Sequence, residues 1–198
     1  MKKNKIELIV IDLWQTLVDC NIKPSDIFFD YSEVDRNKIL KKVFIFDGNI
    51  DKVIDELITD SNKERGQVIK LWEKASTESF LVEGAENLLI SLKKQGYKLC
   101  LLTNIDKYGY ENFKFQSILK YFDYQFLSYK QGIIKPDNKC WENIKKYFKI
   151  DYNKMCMIGD SLENDIIPAE KLGLETVLIN INTEKNVYLE VYERYIKK

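Results

Sequence analysis

Four short apolar runs punctuate the chain, at residues 6–11 (IELIVI), 97–102 (YKLCLL), 154–158 (KMCMI) and 175–179 (ETVLI). Each has strand length and is aliphatic or β-branched, the pattern of a strand buried on both faces of a parallel sheet. A weaker run at 124–128 (YQFLS) predicts a fifth strand. Between these runs the apolar period becomes helical. Residues 85–94 place Leu88, Leu89 and Leu92 on one face and stop at Gly96, a C-terminal cap. Residues 139–148 bring Trp141, Ile144 and Phe148 together, and 164–172 closes on Gly173. Strands alternating with helices predict an α/β fold with an open, doubly wound parallel sheet and right-handed crossovers.

Residues 20–82 break this rhythm. They are rich in Lys, Asp, Glu and Ile, and predict helices at about 26–44, 50–61 and 63–80. A helical insertion after the first strand is the simplest organisation. A length of 198 residues accommodates one core domain with such an insertion.

Composition narrows the chemistry. The chain has no histidine, which excludes Ser-His-Asp and Cys-His nucleophiles, imidazole zinc sites and histidine proton shuttles. Its 31 basic and 31 acidic residues cancel, and no basic stripe marks a nucleic-acid or membrane-surface binder. Cys20, Cys100, Cys140 and Cys156 form no CxxC pair and read as reduced thiols. The basic N-terminus followed by an apolar run imitates a secretion signal, but Glu7 and Asp12 interrupt it and no small-residue cleavage site follows. No run approaches membrane-spanning length. The expectation is a cytoplasmic protein.

Ligands of an open parallel sheet bind beyond the carboxyl ends of its strands. The first strand runs into Asp12, the second into Thr103-Asn104, and the fourth into Gly159-Asp160-Ser161, with Asp165 five residues after Asp160. Lys135-Pro136 lies in the loop before the Trp141 helix. Individually, each is a common turn or cap element. Together they describe a reaction centre. A strand-end carboxylate can attack an electrophile and form a covalent ester or acyl phosphate. Asp160 and Asp165 can complete an oxygen site for Mg2+, while Thr103 and Lys135 can neutralise phosphoryl oxygens.

These residues resemble the motifs of the haloacid dehalogenase-like hydrolase superfamily over nearly the whole chain. Residues 6–17 look like its first motif, with Asp12 as nucleophile. Residues 101–104 (LLTN) resemble the second, 135–137 (KPD) the third, and 157–165 (MIGDSLEND) the fourth. Residues 82–85 (VEGA) look like the return from cap to core, with Glu83 where Pro is frequent. The resemblance implies a Rossmann-like core of strand order 3-2-1-4-5 built from residues 1–18 and 82–198. Residues 19–81 would form a C1-type helical cap. It also implies a small phosphorylated substrate held by Thr103, Asn104 and Lys135. Mg2+ would be bound by Asp12, Asp160, Asp165 and the backbone carbonyl of Trp14.

Trp14 departs from the family pattern. Phosphatases of this family usually carry a second Asp at this position as general acid/base, and indole cannot exchange a proton near neutral pH. Losing a general acid costs about two to four orders of magnitude in rate. One reading is a Mg2+-dependent phosphatase favouring good leaving groups such as acyl or enol phosphates, or positioning the proton through water with Gln15 or a cap residue. Another is a metal-independent 2-haloacid dehalogenase, with an aromatic residue at this position and Arg36 or Arg65 cradling halide or carboxylate. A phosphonate-cleaving variant with a cap lysine such as Lys52, and a fold retained only for binding or regulation, complete the set. Oligomeric state stays open.

Overall fold

The computed structural model describes residues 5–23, 27, 33–49, 51–52, 54, 65–114, 116–182 and 186–197. The helix expected at 50–61 falls almost wholly outside them. So do the side chains of Arg36 and Arg65.

In chain order the site-bearing elements are β1 (Leu8–Ile11), β2 (Val18–Asp19), α1 (Glu33–Ile45), α2 (Arg65–Thr77), β3 (Phe80–Leu81), α3 (Ala85–Lys94) and β4 (Lys98–Thr103). They continue with α4 (Lys107–Asn112), β5 (Tyr124–Leu127), α5 (Ser128–Gln131), α6 (Asn138–Phe148), β6 (Met155–Gly159), α7 (Ile167–Lys171) and β7 (Glu175–Leu178). Five strands form one parallel sheet ordered β5-β4-β1-β6-β7. Counted within that sheet, this is 3-2-1-4-5. The weak apolar run at 124–128 is a full edge strand. The numbering shifts because an unexpected antiparallel ribbon, Val18 opposite Leu81 and Asp19 opposite Phe80, stands where the chain leaves and rejoins the sheet.

The continuous apolar character of β1 has a direct cause. Successive side chains point to opposite faces of a strand, and both faces here are covered. Ile9 and Ile11 join Leu88, Leu89 and Leu92 of α3 on one side, while Leu8 and Val10 join Trp141 and Ile144 of α6 on the other. All four β1 residues are fully buried, at roughly 1.5–3 kcal/mol for each large side chain. A third cluster, including Ile39, Val43, Val68 and Trp72, belongs to the helical stretch between β2 and β3.

One expected helix is built differently. Residues 162–166 (Leu162–Ile166) form a π-helical turn before α7. Pro168 has no N–H to complete the ordinary bond to residue 164, which favours the wider turn. Among the described residues no helix is long and apolar enough to cross a membrane. None of the four cysteines is in a disulfide, and all four are buried.

Candidate active site

Asp12 is the first residue beyond β1, and its backbone N–H still donates to the Ile158 carbonyl at 2.9 Å. Its position is therefore fixed by the sheet rather than by a loose loop. The chain then turns sharply: Leu17 and Val18 N–H groups both donate to the Leu13 carbonyl, and Gln15 adopts a positive φ of 57°. Leu13 and Leu17 anchor the turn in the core. Tyr188, near the C-terminus, secures it from outside by donating its hydroxyl to the Thr16 carbonyl at 2.5 Å.

Four of the expected residues converge on Asp12. Lys135 Nζ lies 2.6 Å from both Asp12 Oδ1 and Asp165 Oδ1, with all three side chains buried. Asp12, Asp160 and Asp165 each present a carboxylate oxygen within 4.8 Å of the others. Thr103 ends β4 with a buried hydroxyl that has no hydrogen-bond partner among the described residues. A small open cavity of about 280 Å3 joins these residues to Trp14, Gln15, Asn104 and Ser161.

The charge balance explains the titration of the site. Three carboxyl groups share one ammonium, so full ionisation would leave two negative charges uncompensated. Burial pushes the Asp12 carboxyl up, Lys135 opposes this, and Asp165 and Asp160 add to it, for a net rise to about 8. Burial and Asp165 likewise raise Asp160. Burial alone would lower Lys135, but Asp12 and Asp165 hold it above the usual lysine range. A hard divalent cation with oxygen ligands suits this excess of buried carboxylate.

Space is arranged as closely as charge. A Cβ on Gly159 would lie 2.5 Å from Asp165 Oδ2 and 2.6 Å from its Cγ, so only glycine lets that carboxylate cross the end of β6. The Ser161 N–H donates to Asp165 Oδ2 at 3.1 Å, and the Ser161 hydroxyl accepts from Asn164 N–H. Sequence reasoning named neither Gly159 nor Ser161 as a site residue. Their adjacency to Asp160 was the available signal.

Asn104 and Trp14 have distinctive surroundings. The Asn104 side-chain carbonyl accepts from Lys135 N–H at 2.8 Å, and its NH2 donates to the Lys135 carbonyl at 3.2 Å. Both ends of the amide thus latch the Lys135 loop to the end of β4. Trp14 is half-buried, edge-to-face with Phe113 at 6.5 Å. Beside it, Lys23 Nζ donates to Gln15 Oε1 at 3.0 Å. Lys52, the lysine considered for a Schiff base, is exposed.

The chain is similar to several known proteins. A glyceraldehyde 3-phosphate phosphatase from Pyrococcus abyssi is 32% identical over 101 residues, covering 48% of this chain and 41% of that protein. The chain thus spans less than half the length of that relative. A HAD family enzyme from Bacteroides thetaiotaomicron, solved as a magnesium complex, matches with a TM-score of 0.71 at 20% identity, over 96% of this chain and all of the other. A 2-haloacid dehalogenase from Pseudomonas syringae matches with a TM-score of 0.61 at 17% identity, over 91% and 89% of the two chains. A solved structure of a HAD phosphatase from Thermococcus onnurineus also matches, with a TM-score of 0.60 at 20% identity over 91% of this chain and 89% of the other. The fold alone therefore does not choose between phosphatase and dehalogenase. The model of the haloacid dehalogenase-like hydrolases matches residues 6–173, from the start of β1 to beyond α7, and the chain belongs to that hydrolase family.

Proposed function

We propose that this protein is a Mg2+-dependent phosphatase of small phosphorylated molecules, with Asp12 as nucleophile. The observation that carries this reading is the cluster of Asp12, Asp160 and Asp165, in which the buried Asp12 and Asp165 both pair with Lys135. Asp12, Asp160, Asp165 and the backbone carbonyl of Trp14 would hold the cation. Bound there, it would neutralise the carboxylates and the incoming phosphoryl oxygens.

In the first step an Asp12 oxygen attacks phosphorus, the bond from phosphorus to the leaving oxygen breaks, and an aspartyl phosphate forms. Thr103 would donate its unpartnered hydroxyl to a phosphoryl oxygen, and Lys135 would supply positive charge to another. Water then attacks the phosphorus, releasing inorganic phosphate and restoring the Asp12 carboxylate. Asn104 would act mainly as a positioning residue, through the Lys135 backbone. Trp14 offers no proton to the departing oxygen, so leaving groups that depart as stable anions are favoured.

The helical stretch of residues 19–81 is proposed as a cap that excludes water and bounds substrate size. Four cysteines outside any disulfide suit a reducing compartment, which supports a cytoplasmic location. Trp14 is the observation favouring a dehalogenase. Against it stands a cation-competent carboxylate triad that a metal-independent dehalogenase has no need to assemble.

A panel of acyl phosphates, phosphomonoesters and 2-haloacids, each with Mg2+ or with chelator, tests the assignment. The expected result is phosphate release that requires Mg2+ and falls by at least about 1,000-fold in Asp12→Asn. Halide release in chelator would replace the phosphatase reading with the dehalogenase one. No turnover on any arm would leave the fold as a binding module.

A further inference from the structure

A second cavity, of about 240 Å3, adjoins the carboxylate site beneath the helical stretch. Trp14, Gln15 and Asn104 line both spaces, so the two are neighbours across a shared wall. Leu40 and Phe44 of α1 and Trp72 and Ala75 of α2 form its far side. A cavity of roughly 150 Å3 with apolar walls suffices to bind benzene, so this one has room for a six-membered ring.

Ser76, Asp106, Asn104 and Gln15 on the wall each have a partner within the protein, and the Lys23 ammonium, which also lines it, is the partner of Gln15. The Ser76 hydroxyl donates to the Trp72 carbonyl of its own helix at 3.3 Å. The Asp106 carboxylate accepts from Gly109 N–H at 2.9 Å and from the Trp72 side chain. Asn104 holds the Lys135 backbone, and Gln15 Oε1 accepts from Lys23. A polyol or sugar placed here would lose hydration from several hydroxyls while meeting groups that already have partners, at about 1–3 kcal/mol for each one left unpaired. A hydrocarbon surface carries no such penalty.

Leaving-group chemistry leads to the same class. With Trp14 beside Asp12, the leaving oxygen departs without a side-chain acid at that position. A phenolic oxygen, with a pKa of about 10, is far easier to expel unprotonated than an aliphatic alkoxide, whose pKa is of the order of water's ~16. We propose that the substrate is a phosphate ester of an aromatic or comparably flat, apolar hydroxyl compound, its ring seated between Trp14, Phe44 and Trp72. This rests on the phosphatase reading and goes beyond it in naming the substrate class.

Binding and turnover separate the two claims. Trp14 and Trp72 are two of the three tryptophans in the chain, so intrinsic fluorescence reports occupancy of the cavity. The Mg2+-loaded protein should bind phenylphosphonate at least ~10-fold more tightly than methylphosphonate, the gain expected from burying an aromatic ring. Equal affinity for the two overturns the aromatic assignment. Among substrates, kcat/KM should be at least about tenfold higher for phenyl phosphate than for glycerol 3-phosphate; a preference for the glycerol ester also overturns it. Acetyl phosphate, which has almost no body to seat, tests the phosphatase reading by itself. If it is not hydrolysed, that reading fails, and the phosphonate comparison still decides the cavity. Filling the cavity with Ala75→Phe should lower the phenyl-to-acetyl ratio of kcat/KM by about tenfold or more. An unchanged ratio in a folded variant argues against the placement, and Ala75→Leu is a milder version should the phenylalanine prevent folding.

Discussion

The approach of Asp165 to the backbone of Gly159 shows how little tolerance the site has at single residues. Gly159→Ala would place a methyl carbon 2.5–2.7 Å from three atoms of the Asp165 side chain. Two of those, Oδ2 and Cγ, belong to the buried carboxylate whose Oδ1 Lys135 grips. The side chain must move, and with it the oxygen proposed to hold the cation. The expected outcome is a loss of Mg2+ affinity of about 10- to 100-fold, the range seen when groups supporting a metal ligand are altered. Isothermal titration measures it, and unchanged affinity in a folded variant would dissociate Gly159 from the metal site. The side chains that gather at the candidate site are legible from one rule, that ligands sit beyond the ends of parallel strands, applied to Asp12, Thr103 and Asp160. Gly159 is not, because a requirement for empty space leaves no mark in hydrophobic patterning. The Asn104 latch is equally hidden: its partner lies 31 residues away, and an amide after a strand looks the same whether it faces substrate or backbone.

At the scale of elements, apolar runs identify every strand of the main sheet because each strand feeds side chains into the hydrophobic clusters that flank it. The two-residue strands β2 and β3 are too short for periodicity to register, and only their pairing gives them meaning. Contacts between elements are also invisible in local pattern. Asp123, just before β5, accepts from Lys93 Nζ at 2.8 Å on both carboxylate oxygens and from Leu99 N–H at 2.8 Å, joining the end of α3 to β4. Burial would raise its pKa, but the Lys93 and Leu99 contacts outweigh this and hold it below the ordinary 3.8. A depressed folded-state pKa means that the ionised group stabilises the fold above about pH 4, and that this contribution fades as pH falls through the folded value. The carboxylate is 39% exposed, so solvent screening keeps the effect under about 1 kcal/mol. Asp123→Asn should therefore lower the urea midpoint at pH 7, and the difference from wild type should shrink as pH falls below about 4 through the folded value. A difference that stays constant with pH would show that the charge is irrelevant and only hydrogen bonding matters.

For the molecule as a whole, the distribution of hydrophobic clusters sets how it comes apart. The two clusters flanking the sheet share its strands, whereas the cluster containing Trp72 shares no residue with either. The helices carrying it meet the rest chiefly through α4 and α5, and through the β2–β3 ribbon where the chain crosses over. A cap that opens for substrate would need this separation: a region able to lose its packing or shift without unravelling the sheet. Two tryptophans provide the comparison, each fully buried in its own cluster. Trp141→Ala empties one face of the sheet and should cost about 3–5 kcal/mol of global stability, shortening hydrogen-exchange protection throughout the chain. Trp72→Ala removes a side chain of the same size, but its loss should concentrate in the amides of α1 and α2, while β1, β4 and β6 keep most of their protection. Native-state hydrogen exchange on both variants resolves the two patterns. Uniform loss of protection in Trp72→Ala would mean that the helical stretch and the sheet unfold as one unit. Substrate entry would then have to proceed by side-chain motion at the cavity rather than by opening of a cap.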